Sequence, residues 1–220
     1  MSCYNIFMQN LHFWVSELST LGVCETRFTE IIDGKAKVTA QMAVGKEMHE
    51  QLVAPLPKLT RKGILEKVKA GAEFSTRELP VTDNVLSLRG KIDQLDLHGT
   101  QGDKNIGTIV DDKYPKAVYR CIPLYYRLQL AAYAVAVQDS MDLGPLCSIN
   151  DAKLICREAK THKILNTLYV GHETLASWAS NVPFAVSAAR KLANKEKSPE
   201  HQRFDTATGS WVNCYCDLGV

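Results

Sequence analysis

The first third of the chain carries apolar residues at helical spacing. Over residues 11–23 they recur as they do on the buried face of a helix. A second such stretch spans residues 38–53 and is followed by Pro55 and Pro57, which end helices. A short basic helix is predicted over residues 58–71. These patterns predict a mostly helical N-terminal region.

The hydrophobic pattern changes to strand-like alternation from residue 85 onward. The predicted strands are residues 86–95 and 106–114, separated by a turn at 98–103, and a hairpin of 146–157 with 164–170. Residues 73–80 are also read as extended and residues 81–84 as a turn. Helices are predicted over 123–138 and 173–191, the second interrupted or restarted at Pro183. The tail from residue 198 has the composition of turns.

The predicted strand over residues 106–114 contains Asp111-Asp112-Lys113. Because alternate side chains of a strand share a face, Asp111 and Lys113 point one way and Asp112 points the other. Asp93 lies near the end of the preceding strand, so pairing of the two strands would bring two carboxylates and an amine together. Such a group suits magnesium or manganese, with a lysine to handle the attacking water. The competing interpretation is a chance Asp-x-Lys pair beside a turn or cap aspartate.

Four short motifs follow one another along the chain. They are a glycine four residues before His49, a glycine three residues before Asp93, the Asp-x-Lys strand, and Gln129 four residues before Tyr133. In this order they resemble the RecB-like branch of the PD-(D/E)XK nuclease superfamily, and within it the CRISPR-associated Cas-four nucleases and their phage or viral relatives. The resemblance implies an α/β fold with a restriction-endonuclease-like core, in which a central mixed β-sheet is flanked by helices.

The same resemblance implies a division of the chain into three parts. Residues 1–72 would form an N-terminal helical region that carries the GxxxH motif. Residues 73–197 would form the nuclease core, and residues 198–220 a cysteine-containing tail that packs on the N-terminal region.

The resemblance also implies a metal site. Asp93 and Asp111 would hold the metal, the Asp112 carbonyl would be a further ligand, and His49 would add a nitrogen ligand. The sequence departs from the commonest pattern by having aspartate rather than glutamate at position 111, and the shorter arm still reaches a metal. Without this context, His49 would be read as a surface histidine on an amphipathic helix.

Further residues would complete the catalytic group with Asp93 and Asp111. Lys113 would orient or deprotonate the water or stabilise the transition state, and as a base it would need a lowered pKa. Gln129 and Tyr133 would position DNA or Lys113, although Tyr133 also fits an aromatic residue at the rim of the core. Glu78 is expected to hold a nearby basic group.

Composition limits where and how the protein acts. The chain has 220 residues with 45% hydrophobic residues, enough for one core, and lacks an apolar run of the roughly 20 residues that span a bilayer. No secretory signal is recognisable, so a cytoplasmic location is expected. A net charge of +2 predicts local rather than extensive contact with nucleic acid. The candidates for such contact are Arg27, Arg89, Arg120, Arg127 and the basic helix, whose default explanation is a solvated face.

Seven cysteines in a cytoplasmic chain predict buried thiols or metal ligands rather than disulfides. Relatives in the resembling family place one cysteine before the GxxxH helix and three near the C-terminus around an iron–sulfur cluster. Cys24, Cys214 and Cys216 match part of that pattern, and the C-terminal spacing is CxC. The fourth ligand would come from a set of four further cysteines and a histidine: Cys3, Cys121, Cys147, Cys156 and His201. Of these, Cys147 and Cys156 are read first as packing residues.

The resemblance therefore implies a metal-dependent exonuclease acting on single-stranded DNA or DNA ends. CRISPR spacer acquisition, with an integrase partner, and DNA recombination or repair are the implied settings. A restriction-like or junction-cleaving endonuclease and a non-catalytic DNA-binding assembly subunit remain as alternatives.

Overall fold

The computed structural model describes residues 11–37, 39–53 and 59–214. In chain order its elements are β1 (Phe13–Trp14), α1 (Val15–Ser19), a 3₁₀ helix (Thr20–Gly22), α2 (Glu25–Ile32), α3 (Ala40–Val53), α4 (Arg61–Lys69), β2 (Phe74–Asp83), β3 (Leu88–Gln101), β4 (Lys104–Lys113), α5 (Leu124–Gln138), β5 (Cys147–Arg157), β6 (Ile164–Val170), α6 (His172–Ala193), β7 (Gln202–Asp205) and β8 (Ser210–Asn213). Val38, where the second helix was predicted to begin, and the prolines after it lie outside these ranges. Within them, no helix has the length and apolarity needed to cross a membrane.

Strands β1 to β6 form one mixed sheet. β3 pairs in parallel with β1 and antiparallel with β2 and β4. β4 pairs in parallel with β5, and β5 pairs antiparallel with β6. The parallel β4–β5 pair needs a crossover, and α5 supplies it. The fold is therefore α/β, with a central mixed sheet flanked by helices, as predicted.

Helix α5 is the centre of the helical layer. All ten residues from 128 to 137 are buried, because α5 packs against strands β2, β3 and β5 and against helices α1 and α6. A helix that is apolar on every side belongs in a core. This burial brings Gln129 and Tyr133 against the sheet.

The predicted helical face over residues 11–23 is confirmed only in part: Val15, Leu18 and Leu21 are buried in α1 and the 3₁₀ helix, but the segment begins as a strand and Val23 is exposed. Phe13 and Trp14 pair with β3 as a short parallel strand. Helix α1 starts directly afterwards, because Glu17 accepts a hydrogen bond from the Trp14 backbone N–H at 2.8 Å. The helical segment ends at Gly22, where a Cβ atom would lie 2.6 Å from the Cα of Tyr125 in α5. Tertiary contacts therefore break the pattern that the spacing predicted.

The turn predicted at residues 81–84 lies later in the chain, at residues 84–87, and the turn predicted at residues 98–103 is shorter than expected. β2 continues to Asp83, and β3 continues to Gln101, so the β3–β4 turn is confined to Gly102 and Asp103. Gly102 adopts a φ of 62°, which suits glycine. The polar residues before it belong to an exposed strand end, where His98 Nε2 lies 2.8 Å from Thr108 Oγ1 of β4.

Helix α6 runs across Pro183 without a break, so the predicted interruption was wrong. The proline removes one backbone hydrogen bond, but Trp178 and Val186 are buried on either side of it and hold the helix in place. The tail, predicted as turns, forms the β7–β8 hairpin. Phe204 and Trp211 pack edge to face there, with ring centroids 5.3 Å apart.

Strands β2 and β3 change faces at the same position. In β2 the buried residues switch parity between Thr76 and Leu79, and in β3 they switch between Ile92 and Leu95. One of the two residues between Thr76 and Leu79, Glu78, has a φ of 54°, a conformation that costs a non-glycine residue of order 1–3 kcal/mol. Such strain at one point of a sheet edge is a feature of functional sites.

Candidate active site

Asp93 and Asp111 lie side by side at the point where β3 and β4 pair. The register places Gln94 opposite Val110, which continues to Asp93 opposite Asp111. The carboxylate of Asp93 accepts a hydrogen bond from the Asp112 backbone N–H at 3.1 Å. The two strands therefore bring together the two carboxylates that the sequence paired.

Asp111 is a buried carboxylate with an incomplete set of partners. Its side chain is 1% exposed, and Lys113 Nζ lies 2.9 Å from both of its oxygens. Oδ2 nevertheless accepts no hydrogen bond of good geometry. Burial, together with the negative charge of Asp93, raises the pKa of Asp111 to about 7, against the opposing effect of Lys113. A second positive charge near this carboxylate would relieve its repulsion with Asp93.

Lys113 is held as an ammonium group by these carboxylates. Burial disfavours its charged form, but Asp111 and Asp93 outweigh that effect and raise the pKa of Lys113 above its ordinary value. The lowered pKa that a catalytic base needs is therefore absent in this arrangement. The geometry instead suits a donor that stabilises negative charge.

His49, Glu78 and Asp93 form a group of potential metal ligands. His49 Nε2 lies 2.7 Å from Glu78 Oε1 and 3.8 Å from Asp93 Oδ1. The three donor atoms lie within 4.8 Å of one another. Burial raises the pKa of Glu78, but hydrogen bonds from Lys91 and His49 more than offset this, so the pKa lies below its ordinary value. Helix α3 thus delivers the imidazole to the edge of the two-strand carboxylate pair.

The sequence did not predict that Glu78 belongs to the candidate site. It contacts basic groups, as expected, through its ion pair with Lys91 and its bond to His49. Its position beside Asp93 follows from the β2–β3 register and the change of faces there. No motif in the sequence marks it, because its neighbour lies on a different strand.

The Asp112 side chain points to the opposite face of β4 from Asp111. Arg77 of β2 binds its Oδ2 at 3.0 Å, and Arg157 of β5 binds its Oδ1 at 2.6 Å. Both carboxylate oxygens are thus engaged in a structural ion-pair group. The prediction that the Asp112 carbonyl is a metal ligand concerns the backbone and stays a prediction.

Gln129 and Tyr133 lie beside the carboxylate pair on α5. The Tyr133 hydroxyl donates to the Lys91 carbonyl at 2.9 Å. Burial and the charges of Asp111 and Asp93 raise the pKa of Tyr133, while a hydrogen bond with Gln129 lowers it. Gly90 makes room for the ring, because a Cβ there would lie 2.7 Å from Tyr133 Cε1. The GxxD and QxxxY motifs therefore meet in space.

A cleft of about 890 Å³ opens next to these groups. Its lining includes Lys46, His49, Asp93, Lys113, Lys116 and Tyr126. It lies between α3, the middle of β3 at Asp93, the C-terminal end of β4, and the segment that leads into α5. The cleft therefore opens onto the Asp93 carboxylate, the His49 imidazole and the Lys113 ammonium group.

The four arginines predicted to contact DNA lie elsewhere. Arg27 pairs with Glu30, Arg89 packs on the Trp14 ring, and Arg120 lies at an exposed position of the loop before α5. Arg127 donates to the Ile122 carbonyl and lies over the Trp178 ring. Their contact with DNA stays a prediction.

Cys24, His201 and Cys214 form another group of potential metal ligands, also within 4.8 Å of one another. The sulfur atoms of Cys24 and Cys214 are 3.3 Å apart. Cys214 is disulfide-bonded in this structure, and Cys216 lies outside the described residues. The structure thus brings two of the three predicted cluster ligands together with His201, one of the candidates for the fourth ligand.

The tail is fixed beside Cys24 by one buried acid. Glu25, fully buried in α2, accepts hydrogen bonds from Lys197, the Glu200 backbone N–H and Gln202. Cys121 is exposed, whereas Cys147 and Cys156 are buried in β5, where packing residues were expected.

Comparison with known proteins connects this site to a family. The profile of the PD-(D/E)XK nuclease superfamily matches residues 11–216. Among solved structures, a presumed exonuclease from Eubacterium rectale has a TM-score of 0.54 at 15% identity, over 91% of this chain and 89% of that chain. This likeness concerns the fold alone. The alkaline exonuclease LHK-Exo from Laribacter hongkongensis has a TM-score of 0.42 at 11% identity, over 84% of this chain and 89% of that one, and is too distant to carry an argument.

No curated protein is similar enough to this chain to be matched. The superfamily profile nevertheless covers most of the chain, from before β1 to the C-terminal tail, and every residue of the candidate site falls inside it. The chain belongs to the PD-(D/E)XK nuclease superfamily.

Proposed function

We propose that the protein is a divalent-metal-dependent deoxyribonuclease, an exonuclease that acts on single-stranded DNA or DNA ends. The observation that carries the proposal is the meeting of Asp93, Asp111 and Lys113 with His49 beside one cleft. A phosphodiester hydrolase needs such a set, because negative charge on the phosphate oxygens must be balanced where it develops.

The donor set fits a divalent cation. Asp111 keeps a buried oxygen without a hydrogen bond, and His49 Nε2 lies 3.8 Å from Oδ1 of the neighbouring Asp93. Carboxylate oxygens suit magnesium or manganese. We infer that Asp93, Asp111 and His49 hold the metal, with Glu78 beside them and the Asp112 carbonyl as a further ligand. A bound ion would lower the pKa of the attacking water and neutralise phosphate oxygens.

The remaining groups would act on the substrate. Lys113 would donate to a phosphate oxygen or to the attacking water, since its amine is held protonated between two carboxylates. Tyr133, with Gln129 beside it, would keep the first half of β3 in place through its hydrogen bond to the Lys91 carbonyl. Asp112 would contribute through its backbone, because its side chain binds two arginines.

Labelled single-stranded and duplex DNA incubated with manganese, with and without chelator, tests the activity. We expect cleavage that the chelator abolishes and that Lys113→Ala reduces by about 10²–10³-fold, the usual loss on removing a charge-stabilising donor. Lys160→Ala, in an exposed turn, is the matched control. Full activity in Lys113→Ala with an unchanged circular dichroism spectrum would exclude the assigned role. Binding without cleavage under every metal condition would favour the non-catalytic assembly subunit.

End-blocked and circular DNA separate the two enzymatic alternatives. An exonuclease leaves covalently closed circles intact, whereas a restriction-like or junction-cleaving endonuclease cuts them. The closer relation to Cas-four nucleases and the role in spacer acquisition with an integrase, or in recombination and repair, rest on the sequence resemblance, and a cytoplasmic location is proposed with them. They form part of this proposal.

We further propose that Cys24, Cys214 and Cys216 hold an iron–sulfur cluster. The support is the approach of Cys24 and Cys214, 190 residues apart in sequence, together with His201 as a candidate fourth ligand. Thiolate ligation requires that the disulfide of Cys214 be reduced. Protein prepared without oxygen should be brown, and Cys24→Ser should bleach it while Cys121→Ser, at an exposed thiol, should not. A colourless and iron-free anaerobic preparation would reject the cluster.

A further inference from the structure

Three tyrosines form one wall of the cleft: Tyr119, Tyr125 and Tyr126. The ring centroids of Tyr125 and Tyr126 are 4.0 Å apart, and those of Tyr119 and Tyr126 are 5.6 Å apart. The hydroxyl groups of Tyr119 and Tyr125 are 3.1 Å apart. All three side chains are partly exposed. We call this continuous aromatic surface the tyrosine wall.

The tyrosine wall begins one side chain away from the candidate catalytic group. Lys113 Nζ lies 2.9 Å from Asp111 and 5.0 Å from the centre of the Tyr126 ring. Helix α3 forms the opposite side of the cleft, and a Cβ atom on its Gly45 would meet nothing within 4 Å. A nucleotide next to the phosphate at Lys113 therefore has both an aromatic surface and free space beside it.

The cleft is lined by both aromatic and cationic side chains. Burial raises the pKa of Tyr125 and of Tyr126, so these two phenol groups carry no charge at neutral pH. Lys46 and Lys116 line the same cleft and are exposed. Flat aromatic faces for bases and mobile cations for phosphates are the two features with which proteins bind single strands.

We propose that the tyrosine wall stacks an unpaired base of the nucleotide beside the scissile phosphate. In a duplex, the faces of a base are covered by its neighbours, and exposing one costs a few kcal/mol. An unpaired base enters without that cost, and every base offers a face, so selection is for single strands and not for sequence. This inference rests on the proposed nuclease function and names the part of the substrate that is recognised.

Binding in the presence of chelator tests the tyrosine wall apart from cleavage. The probes are a fluorescein-labelled oligothymidylate and an abasic oligodeoxynucleotide of equal length. Stacking of one base predicts that the thymidylate binds roughly 5- to 100-fold more tightly. Tyr119→Ala and Tyr126→Leu should bring this ratio close to one, and Tyr126→Phe should preserve it.

Tyr169→Ala is the matched control, because this tyrosine is 61% exposed on β6 and does not line the cleft. Circular dichroism confirms that each variant is folded. The substitution Tyr119→Ala keeps the hydrogen bond from Asn166 to the backbone carbonyl of residue 119, because that bond does not involve the side chain. Equal affinity of the wild-type protein for both probes would overturn the proposal. So would a ratio that persists in Tyr119→Ala and Tyr126→Leu.

Cleavage kinetics with manganese separate this inference from the proposed function. For single-stranded DNA, Tyr119→Ala should raise KM by a similar factor and change kcat little, because the ring binds a base and does not touch the metal ligands. If the wild-type protein cleaves DNA yet binds both probes equally, the tyrosine wall is refuted and the nuclease function stands. Base-dependent binding without cleavage would refute the nuclease function and leave the wall as a single-strand site.

Discussion

The neighbouring aspartates on the two faces of β4 have opposite electrostatic surroundings. On one face, Asp111 shares a single amine with Asp93 and keeps an oxygen without a hydrogen bond. On the other face, Asp112 receives one guanidinium group on each oxygen, from Arg77 and Arg157. The first carboxylate has too little positive charge around it, and the second has more than it needs.

Because of this difference, one strand can supply both a candidate metal ligand and an ion-pair group that stabilises the fold. An under-neutralised buried carboxylate costs folding free energy and suits a cation that arrives later. A carboxylate with two cationic partners, such as Asp112, joins β2, β4 and β5 through its ion pairs. Neither of its oxygens is then free to bind a metal. Four substitutions test this division between the faces.

The largest effect on stability is expected on the face of β4 that carries Asp112 and its two arginine partners, which we call the arginine face. Asp112→Asn leaves two guanidinium groups, 17% and 12% exposed, without their carboxylate. Removal of one partner from a buried ion pair costs about 3–5 kcal/mol, so the free energy of unfolding should fall by that order. Urea denaturation measures it, with Asp103→Asn in the exposed β3–β4 turn as the control. A loss no greater than that of the control would end the distinction between the faces.

On the opposite face of β4, which carries the candidate metal ligand Asp111, the substitution Asp111→Asn should lower activity rather than stability. Cleavage should fall by about 10²–10³-fold or more, since a charged group at the reaction centre is lost. The free energy of unfolding should stay equal or rise, because the amide removes the repulsion with Asp93. The two measurements are single-turnover cleavage and urea denaturation. Active Asp111→Asn protein, or protein as unstable as Asp112→Asn, would contradict this expectation.

Glu78→Gln should produce an intermediate effect. Glu78 contacts His49 at 2.7 Å, and loss of a group that orients a metal ligand usually weakens metal affinity by about 10–100-fold. Titration of activity with manganese should show that shift, with most of the rate recovered at saturating metal. Glu73→Gln, an exposed residue just before β2, should leave the curve unchanged. An unshifted curve for Glu78→Gln would remove Glu78 from the site.

Arg157→Lys should have the smallest effect. Arg157 binds Asp112 through Nε and the His162 carbonyl through a second nitrogen at 3.1 Å. A lysine keeps the charge but cannot make both contacts in this geometry, so we expect a loss of about 0.5–1.5 kcal/mol in stability. DNA cleavage should stay within twofold of the wild-type rate. A large loss of cleavage would show that the arginine face takes part in catalysis.

Strand periodicity alone separated the two aspartates. Alternation of side chains put Asp111 and Lys113 on one face and Asp112 on the other, and the structure confirms that arrangement. It did not identify the partners of Asp112, because Arg77 and Arg157 are 35 and 45 residues away on other strands. Local spacing likewise predicted one helix over residues 11–23, where pairing with β3 makes Phe13 and Trp14 a short strand and the helical part begins only at Val15.

The sequence by itself determined the local chemistry: which side chains share a face of a strand or helix, and the order of the motifs that mark a PD-(D/E)XK nuclease. Tertiary structure decided which of these groups meet. The change of faces at Glu78, the delivery of His49 by α3 and the approach of Cys214 to Cys24 all depend on pairing between distant segments. Side-chain periodicity is a property of a few consecutive residues, whereas register between strands is settled only by the packing of the whole sheet.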